Sequence, residues 1–220
     1  MSNIEIQSFP VFPLECNCSI IRCKSTGDSA IIDPGGDAQK IIKKAEDMNC
    51  NLKMILLTHA HFDHCLALGE VTEYFRDTKK HSFSVALHAR DMPLFRGLEQ
   101  QSNYFGIPVP PGSVEVDLRL RDEEILKIGE IALKVIYTPG HTPGSCSFFI
   151  ESEKTLFSGD TLFAMGVGRT DLPGGNSAHL MESIKNRLLT LSDDTNVIPG
   201  HGNYTTIGEE KQHNPFLIYC

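Results

Sequence analysis

The chain contains no run of lysines or arginines, and its formal net charge is −8. A nucleic acid or an anionic membrane surface calls for a basic footprint, so neither is an expected partner. No apolar stretch approaches the roughly 20 residues that cross a bilayer as a helix. Met1 to Pro10 has neither a basic region nor a long apolar one, so no secretory signal is expected and the expected location is cytoplasmic. Cysteine is present, but not as a framework of staples. Its seven copies are odd in number and irregular in spacing, in a chain of 220 residues that needs no cross-links to hold a core. Reduced thiols are expected. Cys16 and Cys18 fall in a strand-like segment with no second pair to complete a metal site, and Cys65 reads as a buried thiol in the first turn of a helix.

The rest of the composition is that of an ordinary globular protein, 40% hydrophobic and 22% charged, and one domain over 1–220 is expected. Alternating or continuous apolar runs predict strands at Ile4 to Phe9, Cys16 to Cys23, Ala30 to Ile32, Lys53 to Leu57 and Ser84 to Leu87. Further strands are predicted at Glu124 to Ile128, Ile131 to Tyr137, Cys146 to Ile150, Thr155 to Phe157 and Asn196 to Ile198. Helical spacing predicts a helix after an Asp37 N-cap to about Asn49, one over Leu66 to Phe75, one from about Arg90 and one over Ser177 to Leu191. Thr206 and Glu209 have capping-box spacing, which places a last short helix before Pro215. Residues 102–113, with Pro108, Pro110 and Pro111, have no clear period and read as a wall or lid. Strands and helices alternate in two similar halves, which fits two packed sheets with helices outside, an α/β architecture.

The chemistry is concentrated at Thr58-His59-Ala60-His61-Phe62-Asp63-His64, directly after the apolar run Met54 to Leu57. Alternate side chains of an extended segment share a face, so His59 and His61 can meet at one point. Asp63 and His64 follow where the chain turns helical, and they aim at a second point nearby. Imidazole and carboxylate are ligands for zinc, iron and manganese. His141, Asp160 and His201 each lie just after a predicted strand, in loops rich in Gly or Pro. Loops at one edge of a sheet pair converge, and small residues let the backbone approach an ion. A single catalytic zinc takes about three protein ligands, so seven candidates suggest two metals, about 3.5–4 Å apart.

The signature His59-x-His61-x-Asp63-His64, followed in order by His141, Asp160 and His201, resembles the metallo-β-lactamase superfamily along nearly the whole chain. Within it, Asp33-Pro34-Gly35-Gly36, Thr138 to Gly144, Ser158 to Phe163 and Gly168-Arg169-Thr170-Asp171 are similar to the glyoxalase II-like branch. The resemblance implies a four-layer αββα sandwich (the metallo-β-lactamase fold) and two divalent metal ions, zinc first, iron or manganese otherwise. It implies His59, His61 and His141 on one ion, Asp63, His64 and His201 on the other, and Asp160 between them. It implies hydrolysis of a small-molecule acyl thioester of the hydroxyacylglutathione type, by a hydroxide shared between the metals that attacks the acyl carbonyl. Asp63 and Asp160 are the candidate catalytic residues, Asp63 in the alternative role of orienting the hydroxide.

Two departures from the glyoxalase II pattern stand out. The chain ends nineteen residues after His201, so the C-terminal helical domain that grips glutathione is not expected. Asp171 stands where a glutathione-contacting tyrosine is common. Arg169 can meet a substrate carboxylate or pair with Asp171. The alternative activity is an iron-dependent persulfide dioxygenase, which would use His59, His141 and Asp160 alone; lactone, ester or β-lactam hydrolysis also stays open. His81, His88, His179 and His213 lack companion ligands and read as surface or packing residues. Asp33 can orient a histidine or form a turn, Thr58 can support a ligand, and Phe95, Tyr104 and Phe105 can line a substrate groove.

Overall fold

Strand β2 (Cys16–Cys23) shows how the sheets are layered. Its side chains alternate in direction. Cys16, Cys18 and Ile20 enter one apolar core, while Ile21 and Cys23 enter another. Both faces of the strand are buried, and apolar residues alternate with Asn17 and Ser19 along its first half. The computed structural model describes residues 2–108 and 114–218.

In chain order, β1 (Ile4–Val11), β2 and β3 (Asp28–Ile32) are followed by helix α1 (Ala38–Asp47) and β4 (Asn51–Leu56). Helices α2 (Phe62–Cys65) and α3 (Leu68–Glu73) lead to β5 (Ser84–His88), α4 (Met92–Arg96), α5 (Leu98–Tyr104) and β6 (Leu118–Leu120). The second half has β7 (Ile125–Ile128), β8 (Ile131–Tyr137), β9 (Cys146–Ile150) and β10 (Thr155–Gly159). A small hairpin follows, β11 (Leu162–Phe163) and β12 (Gly166–Val167), then α6 (Ser177–Ser183), β13 (Asn196–Pro199), β14 (Thr205–Thr206) and α7 (Ile207–His213).

One sheet has the order β1-β2-β3-β4-β5-β6 and the other β14-β13-β10-β9-β8-β7. Three apolar layers hold four structural layers together. Ile41 and Ala45 of α1 and Leu68 and Val71 of α3 pack on the outer face of the first sheet with Ile20, Ile31 and Ile55. Ile21, Ile32 and Leu56 of that sheet meet Leu133, Phe148 and Phe157 of the second. Leu180, Ile184 and Ile207 cover the far face of the second sheet over Phe149, Leu156 and Val197. This is the αββα sandwich of the metallo-β-lactamase fold.

Strands β3, β4, β5 and β6 run parallel, and so do β10 and β13. Strand β8 is antiparallel to β9, which is antiparallel to β10, so β8 shares the direction of β10. The carboxyl ends of these strands therefore open on one edge of the sandwich, the edge that carries Asp33, His59, His141, Asp160 and His201 on the following loops. Two backbone bonds join the sheets there: Cys146 N donates to Thr58 O at 2.8 Å, and Asn17 N donates to Gly200 O at 2.7 Å.

Several expectations shift. Asp37 does not cap α1 with its side chain; it adopts positive φ (53°), and its carboxylate accepts from Phe12 N at 3.1 Å. Helix formation begins at Phe62, before the expected Leu66, so Asp63 and His64 stand on a helical turn. Each of the two amphipathic segments ends in a widened π turn, Tyr74–Thr78 and Ile184–Leu188. The segment expected to lack structure from 102 is helical to Tyr104, and 109–113 lies outside the described residues. The loop after Asp160, read from sequence as rich in Gly, contains the hairpin β11–β12.

Candidate metal centre

The ring nitrogens and carboxylate oxygens of the seven predicted residues meet at the shared sheet edge. Donor atoms of His59, His61 and His141 lie within 4.8 Å of one another, as do those of Asp63, His64 and His201, and those of His59, His64 and Asp160. His141 Nε2 is 2.9 Å from His61 Nδ1, and His64 Nε2 is 3.2 Å from His201 Nε2. Asp160 faces both sets, with Oδ1 3.4 Å from His64 Nε2 and Oδ2 3.4 Å from His141 Nε2. Asp63 Oδ2 is 3.2 Å from His201 Nε2. The seven side chains thus form one cluster, with Asp160 facing both groups of imidazoles.

The outward-facing ring nitrogens identify the tautomers. His141 Nδ1–H donates to Arg169 O at 2.7 Å, and His201 Nδ1–H donates to Leu14 O at 2.9 Å. His64 Nδ1–H donates to Asp33 Oδ2 at 3.0 Å. His59 Nδ1–H donates to Thr58 Oγ1 at 3.0 Å, while that hydroxyl donates to Asp33 Oδ2 at 2.7 Å. Each of these rings therefore turns an Nε2 lone pair towards the centre. Lone pairs of His64 and His201 facing each other at 3.2 Å repel unless a cation lies against both. His59 Nε2 and Asp160 Oδ1 are buried with no hydrogen-bond partner. A buried polar atom left without a partner is costly, so the donor set fits divalent metal ions.

The electrostatics agree. Burial pushes the His61 imidazole down to about 4, reinforced by His141, so it is a neutral ligand at pH 7. Burial and the neighbouring imidazoles hold His59 well below the usual range. Burial alone would raise the Asp160 carboxyl, but His64, His59 and His141 outweigh it and hold the group well below the carboxylate range. Burial opposes a charge on His64, yet Cys16, Asp160, Asp63 and Asp33 raise its pKa well above normal. In the metal-free chain a proton on His64 Nε2 therefore answers the demand for positive charge between His64 and His201 that a metal ion would answer when bound.

Backbone geometry brings the loops close. Gly200 packs so tightly that a Cβ there would stand 2.1 Å from Asp160 Oδ1 and 2.9 Å from His64 Cε1. Asn17 Nδ2 donates to Pro199 O and Gly202 O, each at 3.0 Å, and so straddles the turn that carries His201.

The sequence reading missed Asp91. This fully buried carboxylate accepts from Ala60 N at 3.0 Å and from Thr142 Oγ1 at 2.7 Å through Oδ2, and from Gly144 N at 2.6 Å through Oδ1. It ties the His59–His61 loop to the His141 loop. The available signal was an acid shortly after a strand, three residues beyond His88. Cys16, read from sequence as core alone, also lies 3.4 Å from His64 Nδ1, and burial raises its thiol to about 12, so it packs as a neutral thiol. Asp33 is resolved as a support for both Thr58 and His64.

A cavity of about 770 Å³ opens over the cluster, with His61, Asp63, His141, Asp160 and His201 at its floor and Tyr104 and Phe105 among its walls. Phe95 is not in the wall; it packs against the helix-side core. Arg169 lines the cavity, but its Nε and Nη2 donate to the two oxygens of Asp171, both at 2.7 Å. His88 stacks on Tyr137, His81 stacks on Phe75, and His213 pairs with Glu209, so these three lie outside the cluster.

Comparison with known proteins agrees with this geometry. The sequence profile of the metallo-beta-lactamase superfamily matches residues 11–201. The hydroxyacylglutathione hydrolase GloC of Haemophilus influenzae is 41% identical over 221 residues, covering 98% of each chain. The crystal structure of the B3 metallo-beta-lactamase BLEG-1 superposes with a TM-score of 0.86 at 39% identity, covering 97% of this chain and 99% of that one. The structure of TTHA1623 in a di-iron-bound form gives a TM-score of 0.84 at 34% identity, covering 96% and 100%. No helix among the described residues is long and apolar enough to cross a membrane. On the fold, the convergent histidines and aspartates and the match over most of its length, the chain belongs to the metallo-beta-lactamase superfamily of metal-dependent hydrolases.

Proposed function

We propose that this protein is a binuclear thioester hydrolase of the hydroxyacylglutathione hydrolase type. The observation that carries the reading is the inward convergence of all seven donors, four of whose rings have their outer nitrogens fixed by Thr58, Asp33, Arg169 and Leu14. His59, His61 and His141 would hold one divalent ion, Asp63, His64 and His201 the other, with Asp160 shared. When bound, the ions supply Lewis acidity and lower the pKa of water to roughly 7.

The chain's own groups do the rest. The lowered pKa of Asp63, where His64 and His201 outweigh burial, keeps a proton-accepting oxygen at the cavity floor. Asp63 can orient an attacking water, and Asp160 maintains negative charge between the two imidazole sets. Thr58, Asp33 and the two backbone carbonyls prevent the rings from turning away. Phe62 and Phe105 stack as an apolar wall beside the floor. Water adds its oxygen to the acyl carbon, the C–S bond breaks, and the thiolate leaves. A centre of His59, His141 and Asp160 alone, as a dioxygenase would use, leaves His61, His64 and His201 without a role.

The test is turnover of S-lactoylglutathione by the full chain loaded in turn with zinc, iron and manganese. Hydrolysis above background in at least one form is expected; background rates in all three overturn the reading. Oxygen uptake with glutathione persulfide would instead favour the dioxygenase, and cleavage of a cephalosporin alone would favour the activity named for BLEG-1. His61→Ala and Asp160→Ala are each expected to lose bound metal together with activity.

A further inference from the structure

The walls of the cavity carry information on substrate that its floor does not. Leu14, Phe62, Leu94, Phe105, Phe163 and Val167 make the lining predominantly apolar. Phe62 and Phe105 stack at 5.0 Å between ring centroids with 24° between planes. Leu14 and Phe105 remain 49% and 51% exposed at the mouth. Large apolar side chains left half-open around a reactive floor are the mark of a surface that a ligand covers.

Apart from the exposed, uncharged Tyr104, the polar side chains above the floor are already committed. Gln101 uses its whole amide on the backbone: Nε2 donates to Ala60 O at 3.1 Å and Leu94 O at 2.9 Å, while Oε1 accepts from Phe62 N at 3.2 Å. It braces the metal loop and has no free face for a ligand. Arg169 is the one lysine or arginine among the described lining residues, and it is held in a two-point pair with Asp171 that is neutral as a unit. A glutathione thioester carries two carboxylates and one ammonium. Nothing in the described lining offers those carboxylates an uncommitted cation, and Asp63 and Asp160 at the floor repel them.

We propose that the site prefers thioesters with an apolar acyl arm and a thiol that bears no carboxylate, the acyl arm lying on the Phe62–Phe105 wall. This rests on the thioesterase reading alone: S-lactoylglutathione stays a substrate, turned over more slowly than the thioesters named here. Apolar burial favours each methylene by about fourfold in binding, and a cavity of about 770 Å³ holds a chain of six or more carbons.

The experiment compares kcat/KM of the metal-loaded full chain on acetyl, butanoyl, hexanoyl and phenylacetyl thioesters of N-acetylcysteamine, and on S-lactoylglutathione and S-hexanoylglutathione. The expected result is a rise of about fourfold per methylene from acetyl to hexanoyl, with S-hexanoylglutathione no faster than its N-acetylcysteamine counterpart. Phe105→Ala should reduce the hexanoyl-to-acetyl ratio about tenfold. Asp171→Asn, which releases the Arg169 guanidinium, should raise kcat/KM for S-lactoylglutathione about tenfold. A flat chain-length profile, or S-lactoylglutathione as the best substrate of wild type, overturns the preference while leaving thioester hydrolysis intact. No cleavage of any of the six overturns both.

Discussion

Asp91 lies outside the seven donors, yet both loops that carry the first imidazole set hang from its carboxylate. Replacing it with asparagine keeps the shape and removes one acceptor. With the amide oxygen at the Oδ2 position, the bonds from Ala60 N and Thr142 Oγ1 survive. The amide nitrogen then faces Gly144 N–H, two donors where a 2.6 Å bond had been. A buried donor without a partner costs about 1–3 kcal/mol, and each lost charge-assisted bond about 1.5–3. Part of this is returned, because burial already raises the Asp91 carboxyl and disfavours its charge. The net cost of Asp91→Asn is about 2 kcal/mol, a fall in Tm of about 4–8 °C for a chain of this size. Asp91→Ala leaves three donors unpaired and should cost about 5 kcal/mol. Because Gly144 and Thr142 flank the turn bearing His141, the slack reaches that ligand directly, and metal affinity should fall about tenfold or more. Thermal melts of the metal-free and metal-loaded forms, with a competitive chelator titration, measure both quantities. An asparagine variant that melts and binds metal like wild type would refute the argument that this carboxylate holds the loops in register.

Three further outcomes follow from the same geometry. The folded-state pKa of His61, about 4, lies below its unfolded value of roughly 6.5. Its contribution to stability is thus present above pH 6.5 and declines as pH falls towards 4. Metal-free wild type should lose about 2 kcal/mol more than His61→Gln between pH 7 and pH 5, and equal losses in denaturant melts at the two pH values would exclude this. Gly200→Ala puts a methyl carbon where Asp160 Oδ1 and His64 Cε1 already stand; metal binding should be abolished, whereas Gly202→Ala, with open space around it, should retain it despite some backbone strain. Asn17→Ala removes the two bonds that straddle the His201 turn, and a loss of about 2 kcal/mol in stability, together with weaker binding of the more labile metal equivalent, is expected in a metal-release assay.

The sequence by itself determined the ladder of elements and singled out the seven side chains that cluster at the sheet edge. Cys16–Cys23 and Ile131–Tyr137 were legible to the residue because each sets apolar side chains at alternate positions along a buried face. The spacing His59-x-His61-x-Asp63-His64 was legible because so dense a group of ligand types has few other physical reasons to exist. Local signals failed where distant backbone had the deciding contact. Asp37 looked like a cap, but Phe12 N claims its carboxylate. Phe95 looked like a groove residue, but the helix-side core takes its ring. Arg169 was open to two partners on sequence, and the fold gives it Asp171, two residues away. Only tertiary structure decided that Asp91 would join the loops of Ala60 and Thr142, far apart along the chain, that Asn17 would reach the turn of His201, and that Gln101 would turn its amide inward. Those choices depend on how the carboxyl ends of two separate sheets meet at one edge, and hydrogen bonds across such a seam leave no period in the chain to read.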